Sequence, residues 1–131
     1  MLKDIRALCK TTTIVHINVP NAHSFHRILA KAMGVISEVD ELSLRNIALQ
    51  QNRVYDLTGL MRAVAQGGFE VLSSGSYFIK PFTHDQMQKM MREGIIDRSV
   101  LEGLYLLGEE VEGLLGSEIY VNCRIKSDFQ G

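Results

Sequence analysis

Strict alternation of apolar and polar positions marks the segment 118–126 near the end of the chain. Its apolar residues are Ile119, Val121, Cys123 and Ile125. Because successive side chains of a strand point to opposite faces of a sheet, the pattern predicts a strand with one buried and one solvated face. A second run, 11–19, is rich in β-branched residues and ends at Pro20, which predicts another long strand. We expect both strands near the sheet centre.

Apolar residues spaced by three or four positions predict helices over 1–10, after Asn21, within 38–66, after Thr83 and after Asp97. Asn21, Thr83 and Asp97 are typical N-cap residues, and Thr83 with Gln86 matches a capping box. Gly34 and Gly94 suit the ends of two of these helices. The periodicity over 38–66 fits one bent helix or two separate ones, and the pattern does not choose between them.

Two short β-prone runs, 69–72 and 77–80, flank the small polar residues of 73–76. This arrangement is typical of a hairpin. The order of elements is then helix, strand, helices, hairpin, two helices and strand. It predicts a single compact α+β domain over 1–131, with a small, mostly antiparallel sheet of about four strands and helices packed on one face.

Composition narrows the class of protein without identifying it. The 131 residues are 46% hydrophobic and 22% charged, and the net charge is −1, so a basic nucleic-acid coat over the whole chain is excluded. No apolar run approaches the ~20 residues of a membrane span. The first residues lack the apolar core of a signal peptide, and only Cys9 and Cys123 are cysteines. These features predict a cytoplasmic protein with two reduced thiols and no membrane contact.

The charges segregate along the chain despite the small net value. Residues 1–31 carry a balance of +4, and residues 97–118 carry −5. The acidic segment coincides with an apolar stripe formed by Val100, Leu104, Leu107, Val111 and Leu114. One helix therefore offers an apolar seam with an acidic flank, and the seam is either core or interface.

This helix carries our main functional hypothesis, a non-catalytic partner-binding protein of the regulator, inhibitor, immunity or chaperone-like kind. Glutamates would steer another, basic protein toward the helix, and methionines would supply adaptable apolar contact. The predicted binding residues are Glu102, Glu109, Glu110, Glu112, Met87, Met90 and Met91. We also expect a homodimer, and one that pairs the basic end with the acidic end is a variant of this hypothesis.

One alternative is a small transferase-type enzyme. His16, Tyr77 and Glu118 fall on three predicted strands, so that His and Tyr could hold a substrate while Glu stabilises developing positive charge. The order His, Tyr, Glu resembles the pattern of some ADP-ribosyl-transferring enzymes. In those families Gly and a hydroxyl residue usually follow the His, whereas Ile17 and Asn18 follow it here.

A second alternative is a nucleic-acid-binding regulator that uses the basic N-terminal segment. Its residues would be Lys3, Arg6, Lys10, Arg27 and Lys31. The helix–turn–helix outline of 83–107 is a weaker candidate, because glutamates on its second helix would repel phosphates. His23 and His26 have a spacing that suits a metal, but no third ligand stands nearby in sequence. We therefore expect no metal and no cofactor.

Overall fold

Three antiparallel strands form the sheet, and β3 (Glu118–Ile125) lies between β1 (Val15–Pro20) and β2 (Phe69–Tyr77). The computed structural model describes residues 1–39, 54–111 and 114–128. Its described helices are α1 (Leu2–Ala7), α2 (Phe25–Ala32), α3 (Leu57–Gln66), α4 (His84–Arg92) and α5 (Arg98–Glu110). The α+β class is confirmed, with a sheet of three strands in these residues rather than about four.

The predicted strand positions are half right. β3 is central, as the alternation in its sequence indicated, but β1 lies at an edge of the sheet. Both β1 and β2 run antiparallel to β3, so their carboxyl ends lie at the same end of the sheet as the start of β3. Residues that follow β1 and β2 therefore meet near Glu118.

The hydrophobic core lies on one face of this sheet. Val121 and Ile119 of β3 are fully buried there with Phe69 of β2, and α3 covers them with Leu60 and Val64. α1 adds half-buried apolar residues to the same layer. The alternation in β3 thus does what it predicted: one set of side chains packs in the core under α1 and α3, and the other set lies on the opposite face of the sheet.

The predicted hairpin at 69–80 is wrong, because β2 is one continuous strand. The small residues of 73–76, which suggested a loop, pair with β3. Val71 lies opposite Cys123 and Ser73 lies opposite Asn122, so Leu72 is an extra residue. Such a β-bulge reverses the face on which all later residues of the strand lie. Tyr77 consequently shares a face with Glu70 instead of facing the core.

Capping explains where most of the helices begin. Thr83 forms the predicted capping box with Gln86, and the Asp97 carboxylate accepts from the Ser99 and Val100 backbone N–H groups. α2 differs, because its N-cap is Ser24 and not Asn21. The Asn21 side chain instead donates to the Leu114 and Gly116 carbonyls (2.8 and 2.9 Å), which ties the end of β1 to the segment before β3.

The region 38–66 is only partly described. α3 confirms the predicted helix at its C-terminal end, with Asp56 as N-cap. Residues 37–39 are not helical, and the question of one helix or two lies outside the described residues. No helix in the described ranges has the length and apolarity that a membrane crossing requires.

Candidate functional site

The predicted partner-binding residues lie on two neighbouring helices, α4 and α5. Glu102, Glu109 and Glu110 are exposed on α5, and Glu102 accepts a hydrogen bond from Arg98 (3.2 Å). Glu112 lies outside the described residues. Because positions 102, 106, 109 and 110 fall on one side of a helix, the three glutamates flank Leu106, which is 59% exposed.

The apolar stripe of α5 is turned relative to its predicted position. The half-buried residues along α5 and at its C-cap are Leu101, Leu104, Gly108 and Val111. Val100 and Leu107 of the predicted stripe are each 41% exposed, and none of the 13 residues of α5 is buried. The stripe is thus neither a sealed core nor a free interface: one side rests on the domain, and the other faces solvent.

The three methionines of α4 differ in burial. Met87 is 7% exposed, Met90 is half-buried, and Met91 is 37% exposed. Met87 and Met91 line a cavity of about 430 Å³ between α4, α5 and the segment after β2. Phe78 and Leu101 complete its apolar wall, and the polar residues that line it are Lys80, His84, Gln88 and Arg92. The volume lies within the range of small-ligand or side-chain pockets.

Phe78 has a left-handed backbone, with φ of 60°. A bulky residue in this region costs about 1–2 kcal/mol and persists only where the surroundings enforce it. Here the Ser117 N–H donates to the Phe78 carbonyl (2.7 Å), and the Ile79 N–H donates to the Leu104 carbonyl (3.2 Å). These bonds fix the turn that leads from β2 to the cavity. Phe78 therefore lines the cavity, whereas Tyr77 lies on the sheet face opposite the core.

Two members of the predicted catalytic trio come together. Tyr77 and Glu118 are directly paired in the β2–β3 register, on the sheet face opposite the core. The Asn18 side-chain N–H₂ group donates to the Tyr77 hydroxyl (3.1 Å) and also hydrogen-bonds Glu118. Burial raises the pKa of Glu118, an effect that the Asn18 bond and the Lys80 ammonium oppose. Burial and the Glu118 charge likewise raise the pKa of Tyr77.

His16 lies on the same face but further along the strands. It pairs with Asn122 in the register, and its Nδ1 is 2.7 Å from the Asn122 Oδ1. Asn122 lies four positions beyond Glu118 in β3, which corresponds to roughly 13 Å along a strand. Tyr120 lies between them and stacks on His16, with ring centroids 5.6 Å apart. His16 therefore contacts the ring of Tyr120, which in turn lies next to Tyr77. It does not share a polar centre with Tyr77 and Glu118.

Four rings form a continuous row across this polar face. The Tyr120 ring is 6.2 Å from that of Tyr77, and Tyr105 of α5 continues the row at 6.1 Å from Tyr77. Gly75 lies beneath Tyr120, because a Cβ there would come within 2.8 Å of the Tyr120 hydroxyl. Sequence reasoning missed Tyr120 and Tyr105. The alternation of β3 already placed Tyr120 beside Glu118, whereas no local signal indicates Tyr105.

A buried serine and a histidine follow β1 close to this face. The Ser24 Oγ is 3.1 Å from the His26 Nδ1. Burial lowers the pKa of His26 to about 4, and the charges of Lys80 and Arg27 act in the same direction. His26 is therefore neutral at pH 7. His23, three positions before it in sequence, lies 3.6 Å from the Asp56 carboxylate. Within the described residues, no three His, Cys, Asp or Glu side chains are grouped as a metal site would need.

The predicted nucleic-acid residues do not form one free basic surface. Arg6 donates to the Gly68 and Lys126 carbonyls (3.1 and 2.8 Å), and Arg27 is buried and donates to the Val39 carbonyl (2.7 Å). Lys31 pairs with Glu38 at 3.3 Å. Lys3 and Lys10 are exposed. Two arginines thus bond backbone carbonyls of the domain, Lys31 is paired with Glu38, and Lys3 and Lys10 remain for phosphate contact.

Two comparisons with known proteins found no match for this chain. No protein-family model matches it. No curated protein matches it either. Function has to be argued from the geometry of its own residues.

Proposed function

We propose that this protein binds a protein partner through the outer side of α5. The observation that carries the proposal is that α5, a helix of 13 residues, buries none of them. Most helices in proteins are stabilised by packing of an apolar face, and here Val100, Leu106 and Leu107 remain 41–59% exposed. Coverage by a partner would remove this apolar surface from water.

Charge defines the kind of partner. Glu102, Glu109 and Glu110 border Leu106 and project from α5, so a partner with lysines or arginines around an apolar residue is complementary. The neighbouring cavity would receive a larger apolar side chain of the same partner, because Phe78, Met87 and Met91 form its wall. An amphipathic basic helix fits both features.

A foreign partner fits better than a second copy of this chain. Pairing of the basic and acidic ends would need the cations of residues 1–31. Arg6 and Arg27 are already held by backbone carbonyls within the domain. The transferase-type and nucleic-acid alternatives remain predictions.

Site-specific photo-crosslinking tests the proposal. A crosslinker at Leu106 should capture a discrete partner, and reversal of Glu102, Glu109 and Glu110 to lysine should reduce the captured product at least tenfold. The matched control reverses Asp4 and Asp128, two exposed acids away from α5, and should leave capture unchanged. Equal capture by both variants would contradict the proposal.

Light scattering of the purified protein tests whether it forms a homodimer instead. A monomer at low and high salt is the expected result. A dimer that dissociates in salt and is lost in the triple reversal would replace the foreign partner by a second copy.

A further inference from the structure

The row of rings on the polar face lies outside the α5 docking surface, apart from Tyr105 at its end. We infer that His16, Tyr120 and Tyr77 form a stacking surface for the base of a purine nucleoside, with Glu118 accepting the N–H donors of a guanine-type edge. This inference does not depend on the proposed function. It concerns a small ligand, and the ligand would bind on the sheet face that lies opposite the hydrophobic core.

The rings can serve as a floor because they lie along the sheet. Neighbouring centroids are 5.6–6.2 Å apart and the ring planes differ by 25–35° for the His16–Tyr120 and Tyr77–Tyr120 pairs. Gly75 leaves room for the Tyr120 ring directly over the strand, where a Cβ would come within 3.0 Å of its ring atoms. The Tyr120 side chain is only half-buried, and bases stack on exposed aromatic rings whatever their sequence.

Polar groups stand where the edge of a stacked base would come. Asn18 and Glu118 lie at the Tyr77 end, joined by the Asn18 hydrogen bonds. Asn122 lies at the other end, where its side-chain N–H₂ group donates to the Ser73 hydroxyl (3.0 Å). A carboxylate is an acceptor of two parallel N–H donors, and a guanine edge offers N1–H beside its amino group. Glu118 is half-buried, so donors that replace its lost water are favourable.

The charges around the rings favour a neutral nucleoside over a nucleic-acid strand. Glu118 stands beside the rings, and the glutamates of α5 continue from Tyr105. These carboxylates oppose a run of phosphates, and the Arg124 guanidinium at the far end is already paired with Glu70. A neutral nucleoside meets no such repulsion.

Guanosine is the probe, and amide chemical-shift mapping on the intact chain is the readout. We expect shifts at Tyr120, Tyr77 and Asn122, with inosine, which lacks the amino group, binding several-fold more weakly. Tyr120→Leu should weaken guanosine binding about tenfold, as loss of one stacking ring typically does. Glu118→Gln should abolish the preference for guanosine over inosine. Ile119→Val, a change between these positions on the core face, should leave binding unchanged.

Thermal unfolding of each variant shows whether it still folds. Tyr120→Leu with a normal unfolding transition and unchanged guanosine shifts would overturn the inference. Shifts confined to other residues, or no shifts at millimolar guanosine, would do the same. Tighter binding of an oligonucleotide that weakens with added salt would replace the nucleoside by a nucleic-acid strand.

Discussion

On one face of the sheet, Ile17 and Val121 face each other across β1 and β3 and lie beneath α3, whereas the next residues, His16 and Asn122, face away from that core. The same three strands therefore carry two surfaces of opposite chemistry. The core face depends on burial, which is insensitive to which apolar residue supplies it as long as volume is kept. The polar face depends on particular ring and amide positions. Stability and function should consequently respond to different substitutions at adjacent positions.

The largest difference is expected between Ile119→Ala and Asn122→Ala. Ile119 is fully buried, so its truncation leaves a cavity and should lower the free energy of unfolding by about 3 kcal/mol. Asn122 makes hydrogen bonds only on the exposed face, and its truncation should cost less than about 1 kcal/mol. Urea unfolding of both variants measures this. Similar losses would mean that the two faces contribute equally.

Alanine substitutions at Gly116 and Gly75 provide a second comparison, because an added Cβ would meet different neighbours at the two positions. A Cβ at Gly116 would overlap the backbone of Tyr77, which cannot move away, so Gly116→Ala should cost about 2 kcal/mol. A Cβ at Gly75 would meet only the end of the Tyr120 side chain. Gly75→Ala should therefore cost less than about 1 kcal/mol and displace the Tyr120 ring. Thermal unfolding gives the first result, and a changed His16 ring resonance gives the second.

The pH dependence of the free energy of unfolding isolates His26, a half-buried histidine of α2. The pKa of His26 is about 4 in the folded protein, against 6.5 for a free side chain. Between these values the unfolded chain binds more protons, so this group lowers stability as pH falls from 6.5 to 4. The raised pKa of Glu118 acts oppositely, lowering stability as pH rises above 4.5.

His26→Gln should flatten the loss of unfolding free energy between pH 7 and pH 5, and Glu118→Gln should leave the His26 contribution in place. Urea titrations at the two pH values distinguish them. An unchanged slope in His26→Gln would show that another group controls this range.

The smallest effect is expected from the surface pair of Glu70 and Arg124 on the polar face. Both side chains are substantially exposed, and such pairs contribute about 0.5 kcal/mol or less. Glu70→Gln should produce a loss of this size at low salt and none in 1 M NaCl, where screening removes the attraction. A loss that persists in high salt would indicate packing by the Glu70 side chain instead.

Local patterns predicted much of this architecture. The alternation of β3 is a property of neighbouring residues, so it correctly assigned Glu118 and Val121 to opposite faces. The Thr83 and Asp97 caps depend on groups two or three residues away and were also readable. The serines before Tyr77 misled, because small polar residues are typical of turns, yet pairing with β3 holds them in a strand.

The candidate sites depended more on distant contacts. Tyr77 and Glu118 were identified from their strands, but the contribution of Asn18 requires the β1–β3 register. Tyr105 reaches the ring row only because α5 packs against β2, and the exposure of Leu106 follows from the same docking. A helical period gives the width of an apolar stripe. It does not fix which edge of that stripe meets the sheet.

Leu72 affects β2 through its backbone rather than through its side chain. The residue is 46% exposed, so many side chains would be tolerated at this position. Its backbone, however, forms the bulge that the strand makes after Val71. Deletion of Leu72 would make Ser73 follow Val71 directly and would keep Gly75 and Tyr77 on the polar face, whereas loss of one residue after the bulge would turn Tyr77 toward the core. Between Leu72 and Tyr77, single substitutions leave the two faces of the strand in place, and a single insertion or deletion exchanges them for the residues that follow.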